Sequence, residues 1–453
     1  MTPKKPDNHP DLFRSQLTQI LNLSHPLCRL ASQINWTRIE AQIDTLYSTG
    51  PGQPALPTRL LVGLHYLKYT FNESDESVVD RWLENPYWQY FCGYEYLQHE
   101  LPLHPTSLVR WRHRVGDKLE VLLEETVKVA METKALKRTA VKHVNVDTTV
   151  QEKAIAFPTD ARLYHKMRET LVRESRKRGI VLRQSYRRVG KKALILQSRY
   201  GHARQMKRAG KQTRKLKTYL GRVMRDIHRK ASPYDESLQT RLALAERLLN
   251  QQRHDKNKLY SVHEPKVRCI AKGKAHKRYE FGAKASLVTT SKGNWLIGAQ
   301  HLDDNPYDGH TLERALTQSE SITGIASAVA YCDLGYRGHG YQGKTQIRLA
   351  GKIPKRATAS VRRWMKRRAA IEPVIGHLKS DHRLDRNYLK GEAGDKANVI
   401  LAAAAYNVAK LLAWFYCALS IYPTLLALTV QYVYYHRNTL VELRRDHQKI
   451  LLA

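Results

Sequence analysis

The sequence is poor in acidic residues: 41 Asp and Glu stand against 77 Lys and Arg among 453 residues, which leaves a formal net charge of +36. Such an excess opposes compaction and attracts polyanions, of which DNA, RNA and an anionic membrane surface are the candidates. Five Cys without a CxxC pair indicate neither a disulfide framework nor a zinc knuckle. The 17 Pro and 24 Gly, beside 42% hydrophobic residues, exclude a disordered or collagen-like chain. The length suggests about three domains of roughly 150 residues.

Long apolar runs are also scarce. The N-terminal sequence MTPKKPDNHPDLFRSQL lacks the apolar core of a signal peptide, so we expect a cytosolic protein. Residues 411–435 contain no Asp, Glu, Lys or Arg and are long enough to cross a bilayer. However, Pro423 divides this stretch, polar residues dilute it, and the mean hydropathy of the chain is −0.55. We therefore expect residues 401–453 to form apolar C-terminal helices that are buried in the protein. A membrane span is the alternative.

The positive charge is concentrated in residues 161–230, where 24 Lys and Arg accompany only Glu169, Glu174 and Asp226, for a net charge of +21. A solvated helical face is one interpretation, but such faces usually mix both signs because like charges repel at helical spacing. The imbalance of eight to one favours a surface for the phosphate backbone of a nucleic acid. Binding there would weaken steeply with salt and would not read the base sequence.

Apolar residues with helical spacing run through this basic stretch and beyond it. They form three stripes: Leu182, Tyr186, Val189 and Ala193; Leu216, Leu220, Val223 and Ile227; and Leu238, Leu242, Ala245 and Leu249. The spacing predicts helices that each bury one apolar face and carry basic residues on the others. The predicted breaks are Gly190, Gly201, Gly210 and Pro233, with Gly190 ending the first stripe early. We therefore predict helical hairpins with a basic exterior.

The N-terminal region has helical patterns of a different kind. Apolar spacing and a capping residue, Ser74, predict helices over 57–70, 74–83 and 104–116. The last of these carries Arg110, Arg112 and Arg114. Several short helices ending in a basic one are similar to a helix-turn-helix module, which predicts specific DNA binding by these arginines. A plain packing or dimerisation domain is the alternative.

Strand patterns lie on both sides of the basic stretch. Alternating or short apolar segments predict strands over 143–150, 278–290, 294–302 and 325–333. The chain therefore reads as an α/β protein, with a mixed sheet that a long basic helical insertion interrupts.

Three acids stand at the ends of predicted elements. Asp147 follows the first strand pattern and Asp333 ends the last one, whereas Glu372 lies in a helical segment with the apolar stripe Ile371, Val374, Ile375 and Leu378. On that helix Arg368, Glu372 and Lys379 share another face. Three converging carboxylates are a natural site for Mg2+, which prefers oxygen ligands, and two such ions can assist phosphodiester cleavage. Arg368 and Lys379 would then contact the phosphates of the bound strand.

Each acid also has a structural interpretation: a strand cap for Asp147, a turn former for Asp333, and a surface ion pair with Arg368 for Glu372. Further acids, Asp303, Asp304 and Asp308, stand among Asn, Pro and Gly residues, so we expect them in a loop. By strand alternation Cys332 should face away from Asp333, which disfavours a nucleophilic cysteine.

Longer motifs resemble a known family. The spacing R-x3-E-x6-K at Arg368, Glu372 and Lys379 matches the signature of bacterial insertion-sequence transposases of the DDE class. VNVDTTVQEKAIAFPTDARLYHK (144–166) resembles the first-Asp segment of the group typified by insertion sequence five. The segments KVRCIAKGKAHKRYEFGAKASL (266–287), DDNPYDGHTLERAL (303–316) and YCDLGYRG are similar to segments that follow in that group. The resemblance extends over about residues 55–410.

This resemblance implies a ribonuclease-H-like catalytic core in which Asp147, Asp333 and Glu372 are the catalytic, metal-binding triad for two Mg2+ ions, with Mn2+ as a substitute. It implies a helical DNA-binding domain at 1–140, a core at 141–160 and 256–400, and a basic insertion at 161–255. The expected activity is that of an endonuclease and strand-transfer enzyme acting on double-stranded DNA, namely the terminal inverted repeats and the target. We expect a homodimer on DNA in the bacterial cytoplasm, associated with the nucleoid and without a stable membrane partner.

One position departs from the family signature, which often has Tyr three residues before the Arg, where this chain has Met365. This substitution leaves open how the flanking DNA is handled, including any hairpin step. Two other functions also remain open: a DNA-binding transposase remnant without catalysis, and a structure-selective nuclease that cuts without joining.

Overall fold

The N-terminal region of the computed structural model is helical. The structure describes residues 2–3, 14–48, 54–252, 254–271, 278–351 and 357–419. The helices described before the first strand are α1 (Leu17–Ile20), α2 (Pro26–Gln33), α3 (Trp36–Ile43), α4 (Thr58–Thr70), α5 (Asp75–Glu84), α6 (Pro86–Phe91), α7 (Thr106–Val115) and α8 (Glu120–Glu132). The three helices predicted in this region are confirmed as α4, α5 and α7.

Local sequence explains how these helices begin and where they pack. Ser74 accepts a hydrogen bond from the Ser77 backbone and the Ser77 hydroxyl accepts one from the Ser74 backbone, a reciprocal cap that starts α5. Helix α4 is apolar on nearly all sides and is buried along most of its length. It therefore lies at the centre of the N-terminal helices, whereas α7 buries only the face that carries Leu108, Trp111 and Val115.

The centre of the molecule is a mixed sheet. Its strands are β1 (His143–Lys153), β2 (Arg268–Ile270), β3 (Glu280–Thr290), β4 (Leu296–Leu302), β5 (Val329–Cys332), β6 (Gln346–Leu349) and β7 (Arg386–Asn387). The strand order is β2-β3-β1-β5-β6, with β4 also paired to β3 and β7 to β1. Strand β3 is antiparallel to both β1 and β4, whereas β5 is parallel to both β1 and β6. The predicted strand segments and the mixed sheet are confirmed.

Four helices lie between β1 and β2 and have a core of their own. They are α9 (Asp160–Lys177), α10 (Arg187–His202), α11 (Met206–Lys230) and α12 (Glu236–Asn250). The predicted stripe of α11 is fully buried in this core, together with apolar residues of α9 and α12. In α12 the buried residue near the C-terminus is Leu248 rather than the predicted Leu249.

Two of the predicted breaks in this block are wrong. Gly190 and Gly210 lie inside α10 and α11, whereas Gly201 is in the last turn of α10 and Pro233 separates α11 from α12. Helix α10 begins only at Arg187, after Leu182 and Tyr186. A Cβ at Gly190 would lie 3.2 Å from Nε of the buried Arg168. Glycine at position 190 therefore makes room for the Arg168 side chain of α9, which is a packing role and not a helix break.

The remaining helices complete the fold around the sheet. They are α13 (Leu312–Thr323), α14 (Ala359–Arg367), α15 (Ile371–Ser380) and α16 (Gly391–Leu419). Helix α16 is long and apolar enough to cross a membrane over Gly391–Cys417, but 61% of its most apolar window is buried inside the protein. It packs against α2, α4, α8 and β4 as a core helix. The rest of the predicted C-terminal helices, from residue 420 onward, lies outside the described residues.

Candidate active site and nucleic-acid surfaces

The sheet register places the first two acids side by side. Strands β1 and β5 run parallel, and Asn145 pairs with Tyr331 at the end of their shared ladder. Two residues beyond this pair are Asp147 on one segment and Asp333 on the other. Neighbouring strands lie about 4.8 Å apart, so the register alone brings these two carboxylates to the same edge of the parallel pair. The sequence suggested that Asp147 follows the strand. Instead, Asp147 lies within β1, because the strand continues to Lys153 beside β3.

Asp333 caps a short turn that follows β5. Its Oδ1 accepts a hydrogen bond of 2.9 Å from the backbone N–H of Gly335. A Cβ at Gly335 would lie only 3.0 Å from that oxygen. A side chain at position 335 would therefore displace the carboxylate, and glycine keeps Asp333 close to its own turn.

The third acid arrives on α15. Ile371, Val374 and Leu378 are buried against the body of the protein, as their spacing predicted, whereas Ile375 is only half-buried. This packing leaves Glu372 exposed on the first turn, with 62% of its side chain accessible. One turn of 3-10 helix, Arg368–Ala370, precedes α15 and places Arg368 next to Glu372.

Arg368 connects all three carboxylates. Its Nη2 lies 2.8 Å from Oδ2 of Asp147 and 3.7 Å from Oδ2 of Asp333, while its Nη1 lies 2.9 Å from Oε1 of Glu372. The Arg368 side chain is 14% exposed, so the contacts are partly shielded from water. One planar guanidinium thus offsets the electrostatic repulsion among three anions.

The oxygen ligands around Arg368 are of the type that hard divalent cations prefer. Among the described residues, no group of three or more His, Cys, Asp or Glu side chains has the geometry of a metal site. The Arg368 guanidinium lies between the three carboxylates. A divalent cation held by these three acids would have to take the place of Arg368 as the positive charge that they share.

Two buried groups stand close to these acids. Burial raises the pKa of the Cys332 thiol, and the negative charges of Asp333 and Asp147 raise it further. A thiol that stays protonated in the core is no nucleophile, in agreement with the sequence. The Tyr336 hydroxyl is also buried, and burial raises its pKa, with additional contributions from Cys332 and three neighbouring aspartates.

Lys379, the last residue of the R-x3-E-x6-K motif, has a partner of its own. Its Nζ lies 3.6 Å from Oε1 of the buried Glu280, at the start of β3. The register of β1 with β3 pairs Asp147 with Leu287, seven residues further along β3 than Glu280. Lys379 therefore ties α15 to the far end of β3, away from the three acids, and its predicted phosphate contact remains a prediction.

The three arginines of α7 do not share one environment. Arg110 and Arg114 are exposed, and the Arg114 guanidinium lies over the Tyr47 ring at 5.0 Å. Arg112 is buried, and its two Nη atoms donate hydrogen bonds of 2.7 and 2.6 Å to Asp75 of α5. This guanidinium is buried and paired with Asp75 inside the helical core. Arg112 therefore makes a structural contact, in place of the DNA contact that the sequence predicted.

The basic block presents its charge outward. Every Lys and Arg residue of α10 and α11 is exposed, while the apolar stripe of α11 faces the internal core. In the stripe predicted around α10, Ala193 is buried in that core, but Val189 is 49% exposed, so the prediction is wrong for Val189. Two of the three acids of the region are buried and used internally, whereas Glu169 of α9 is exposed. Glu174 pairs with Arg178 at 2.7 Å, and Asp226 accepts a hydrogen bond of 2.8 Å from the Arg183 backbone and pairs with Lys230 at 3.0 Å. The outer faces of α10 and α11 are therefore cationic over their whole length.

A further group of residues at the site was not found by reading the sequence. Asp308, expected in a loop with Asp303 and Asp304, begins a 3-10 turn and accepts hydrogen bonds from Thr148 of β1 and Lys284 of β3. One signal was present in the sequence, since Lys284 is the one charged residue among the apolar or small residues that follow Glu280 in β3. Its partner lies 24 residues away, however, and spacing alone does not indicate it.

Met365 occupies the position where the family signature often has Tyr. It is buried at the end of α14 with Val329 and Tyr331 of β5. The preceding residue, Trp364, stacks on the His143 ring with centroids 4.4 Å apart. The position therefore belongs to a small apolar cluster on β5, and a side chain without a hydroxyl is consistent with that packing.

Comparison with known proteins adds two family matches. Residues 15–114 match the family described as transposase domain (DUF772), and residues 253–408 match the transposase DDE domain. The DDE match contains Asp333, Arg368 and Glu372, and a ribonuclease-H-like fold is implied by it. The two matched segments are separated by residues 115–252, which include Asp147 and helices α9 to α12.

A curated protein of Rhizobium meliloti, described as uncharacterized protein ORF8 in nfe locus, is 49% identical over 207 residues, which is 45% of this chain and 100% of that protein. No solved structure matches the chain. The two domain matches occur in the order of the helical region and the sheet with its acids. The chain belongs to the family of DDE transposases of bacterial insertion sequences.

Proposed function

We propose that this transposase binds the ends of its own element, hydrolyses a DNA strand at each end, and joins the released 3′-OH to target DNA. The observation that carries the proposal is the convergence of Asp147, Asp333 and Glu372 on one guanidinium, in a chain with both transposase matches. The finer assignment to the group typified by insertion sequence five rests on the motif segments quoted above.

In this proposal Asp147, Asp333 and Glu372 hold Mg2+, with Mn2+ as a substitute and two ions per active site. When bound, such ions activate the attacking oxygen, stabilise the leaving one and neutralise the clustered carboxylates. The protein supplies the placement: β1 and β5 fix two acids by register, and α15 brings the third. With a cation held by the carboxylates, Arg368 would be free to contact a DNA phosphate.

Two surfaces are proposed to bind DNA. The outer faces of α10 and α11 carry exposed cations without exposed acids, which suits the phosphate backbone and reads no sequence. Arg110 and Arg114 on α7 are the proposed contacts of the N-terminal domain. In this view 161–255 is a basic insertion in the catalytic core, and the protein acts as a dimer on two DNA ends in the cytoplasm.

The decisive experiment measures strand cleavage of a duplex carrying the element end, with Mg2+ or Mn2+. The element ends follow from sequencing the DNA around the gene, where inverted repeats flanked by a short target duplication are expected. Wild type should cut in a cation-dependent manner and Asp147→Asn should not. The matched control is Asp303→Asn, an exposed acid in the loop after β4. Equal cleavage by wild type and Asp147→Asn would refute the catalytic assignment.

Two alternatives predict different results in the same assays. A structure-selective nuclease would cut but would fail to join pre-cut ends to a target plasmid. A transposase remnant without catalysis would bind the ends with salt-sensitive affinity and neither cut nor join. Strand transfer from pre-cut ends therefore separates the proposed function from both.

A further inference from the structure

Asp308 is the meeting point of three elements beside the proposed active site. Its Oδ1 accepts a hydrogen bond of 3.0 Å from the Thr148 hydroxyl of β1 and one of 2.9 Å from Lys284 Nζ of β3. Lys284 Nζ also donates to the carbonyl of Pro306, 2.9 Å away, in the loop between β4 and α13. The loop is thus fastened to two adjacent strands by one carboxylate and one buried ammonium group.

Thr148 transmits this fastening to Asp147. Successive side chains of a strand point to opposite faces, so Asp147 extends toward Arg368 while Thr148 extends toward Asp308. The Thr148 backbone N–H in addition donates a hydrogen bond of 2.8 Å to Asp147 Oδ1. Both faces of β1 are therefore anchored at the position where the first catalytic acid stands.

Asp308 also borders the second acid. A Cβ placed on Gly335 would lie 3.0 Å from Asp333 Oδ1 and 3.6 Å from Asp308 Oδ2, so both carboxylates lie against the same glycine. The next residue, Tyr336, is fully buried, and its hydroxyl has no hydrogen-bond partner within the part of the chain that the structure describes. Burial raises the pKa of this hydroxyl well above its usual value, and Cys332, Asp147, Asp308 and Asp333 raise it further.

We propose that Asp308 is a positioning residue of the active site, which sets the separation of Asp147 and Asp333 by holding β1, β3 and the Asp333 turn together. The inference rests on the proposed function, because it assigns these two acids to one cation site. Lys284 supplies the positive charge that lets a fourth carboxylate stand here without adding to the repulsion among the catalytic acids.

The expected effect follows from the geometry. Cations are held by carboxylates only at fixed separations, and loss of the groups that orient metal ligands typically costs about 10- to 100-fold in metal affinity or activity. Asp308→Asn keeps the size of the side chain but removes the charged acceptor for Lys284. We expect Mn2+ affinity to fall about 10-fold or more, with cleavage falling in parallel and the affinity for end DNA unchanged.

The test uses the full-length protein and Mn2+ as the probe. Mn2+ binding to the DNA-free protein is titrated by electron paramagnetic resonance, and cleavage of end DNA is measured as a function of Mn2+ concentration. Asp303→Asn, in the same loop but outside these contacts, is the matched control. A second pair of variants avoids dependence on one substitution: Thr148→Val loses the hydroxyl and should weaken Mn2+ binding, whereas Thr148→Ser keeps the hydroxyl and should restore it.

The outcomes are distinct. If Asp308→Asn and Thr148→Val bind Mn2+ as tightly as Asp303→Asn does, the positioning role is refuted while the proposed function stands on the loss seen with Asp147→Asn. If Asp308→Asn fails to fold, the comparison of Thr148→Val with Thr148→Ser decides alone. If the wild type neither binds Mn2+ nor cleaves DNA, both proposals fail together.

Discussion

The acidic centre and the α10–α11 pair use positive charge in opposite ways. In the acidic centre one cation, Arg368, is shared by three carboxylates. On α10 and α11 every Lys and Arg is exposed, and the one acid of the two helices, Asp226, is buried in internal contacts. The comparison teaches that the net charge of +36 is less informative than the distribution of the charges. Carboxylates are in excess in the acidic centre, and exposed cations are in excess on α10 and α11.

This division suits a protein that both holds DNA and acts on it. Exposed cations attract phosphate over a long surface, and that attraction is screened by salt. The carboxylates gathered at the sheet would repel a DNA phosphate unless a cation lay between the carboxylates and the phosphate. In the proposed function the divalent cation takes that place, so binding and chemistry depend on different residues and can be separated by mutation.

The largest expected effect is a loss of chemistry without a loss of binding. Glu372→Gln removes one charge from the acidic centre and should lower cation-dependent cleavage by roughly 10³-fold or more, because the three acids act as a unit. Affinity for end DNA should change less than about 2-fold, since α10 and α11 are untouched. Single-turnover cleavage and a gel-shift titration measure the two quantities. A large fall in DNA affinity would break the comparison.

The next effect tests the same contrast within one helix, α7. Arg112→Met should destabilise the protein by about 3 kcal/mol, because the largely buried Asp75 carboxylate loses two hydrogen bonds from the guanidinium and keeps only its ion pair with Lys68. Arg110→Ala, on the exposed face, should change stability by less than about 0.5 kcal/mol. Urea denaturation of the two variants gives both numbers.

In end-DNA binding, the ranking of the α7 variants should reverse. Arg110→Ala should weaken binding, and the folded fraction of Arg112→Met should bind as wild type does. If Arg112→Met is as stable as wild type yet binds poorly, the buried position assigned to its guanidinium is wrong.

A smaller effect is expected from the basic surface. Replacing Lys207, Lys211, Arg214 and Lys215 of α11 with Gln should reduce the salt dependence of DNA affinity, by about 0.9 in the log–log slope for each phosphate that is no longer neutralised. Cleavage at saturating DNA should be unchanged, since the acidic centre is intact. The control replaces the same lysines with Arg, which keeps the charge. A slope equal to that of wild type would show that the α11 face is only solvated and does not contact DNA phosphates.

Local pattern was sufficient for the helices and strands that were predicted, whereas the encounter of the acids also depends on strand pairing. The apolar spacing of α15 correctly predicted that Ile371, Val374 and Leu378 are buried, and the strand patterns located β1 and β5. Because these two strands are parallel and adjacent, Asp147 and Asp333 are brought together by register. The buried stripe of α15 and the positions of the strands depend on short stretches of sequence, which is why periodicity reveals them. The pairing of β1 with β5 joins residues far apart in the chain, and periodicity does not reveal it.

The wrong predictions, in contrast, have a common cause. Arg112 was assigned to DNA because its partner Asp75 lies 37 residues earlier, and Gly190 was read as a break because Arg168 packs on it from another helix. The sequence predicts a loop for Asp308, because its acceptor role depends on contacts with strands β1 and β3. Each error concerns a contact between elements, and helical spacing cannot say which polar side chain will face the interior.

The smallest expected effect concerns pH and the ion pair between α5 and α7. Burial opposes the ionisation of Asp75, but hydrogen bonds from Arg112 and the charge of Lys68 outweigh it and hold the pKa of Asp75 well below its usual value. A carboxyl whose pKa is lower in the folded state stabilises the protein at neutral pH. That contribution is lost as the pH falls below about 4, the ordinary pKa of Asp.

The stability difference between wild type and Asp75→Asn should therefore be largest near pH 7. Below about pH 4 it should narrow by roughly 1.4 kcal/mol for each pH unit, until the folded-state pKa is reached. Glu76→Gln, the exposed neighbour on α5, should differ from wild type by a small and nearly constant amount. Urea denaturation between about pH 3 and 7 measures all three proteins across this window. If this stability difference does not depend on pH, Asp75 holds Arg112 by the shape of its side chain and not by its charge. The contact of Arg112 in the N-terminal core would then differ in nature from the charge-based contacts of Arg368 in the acidic centre.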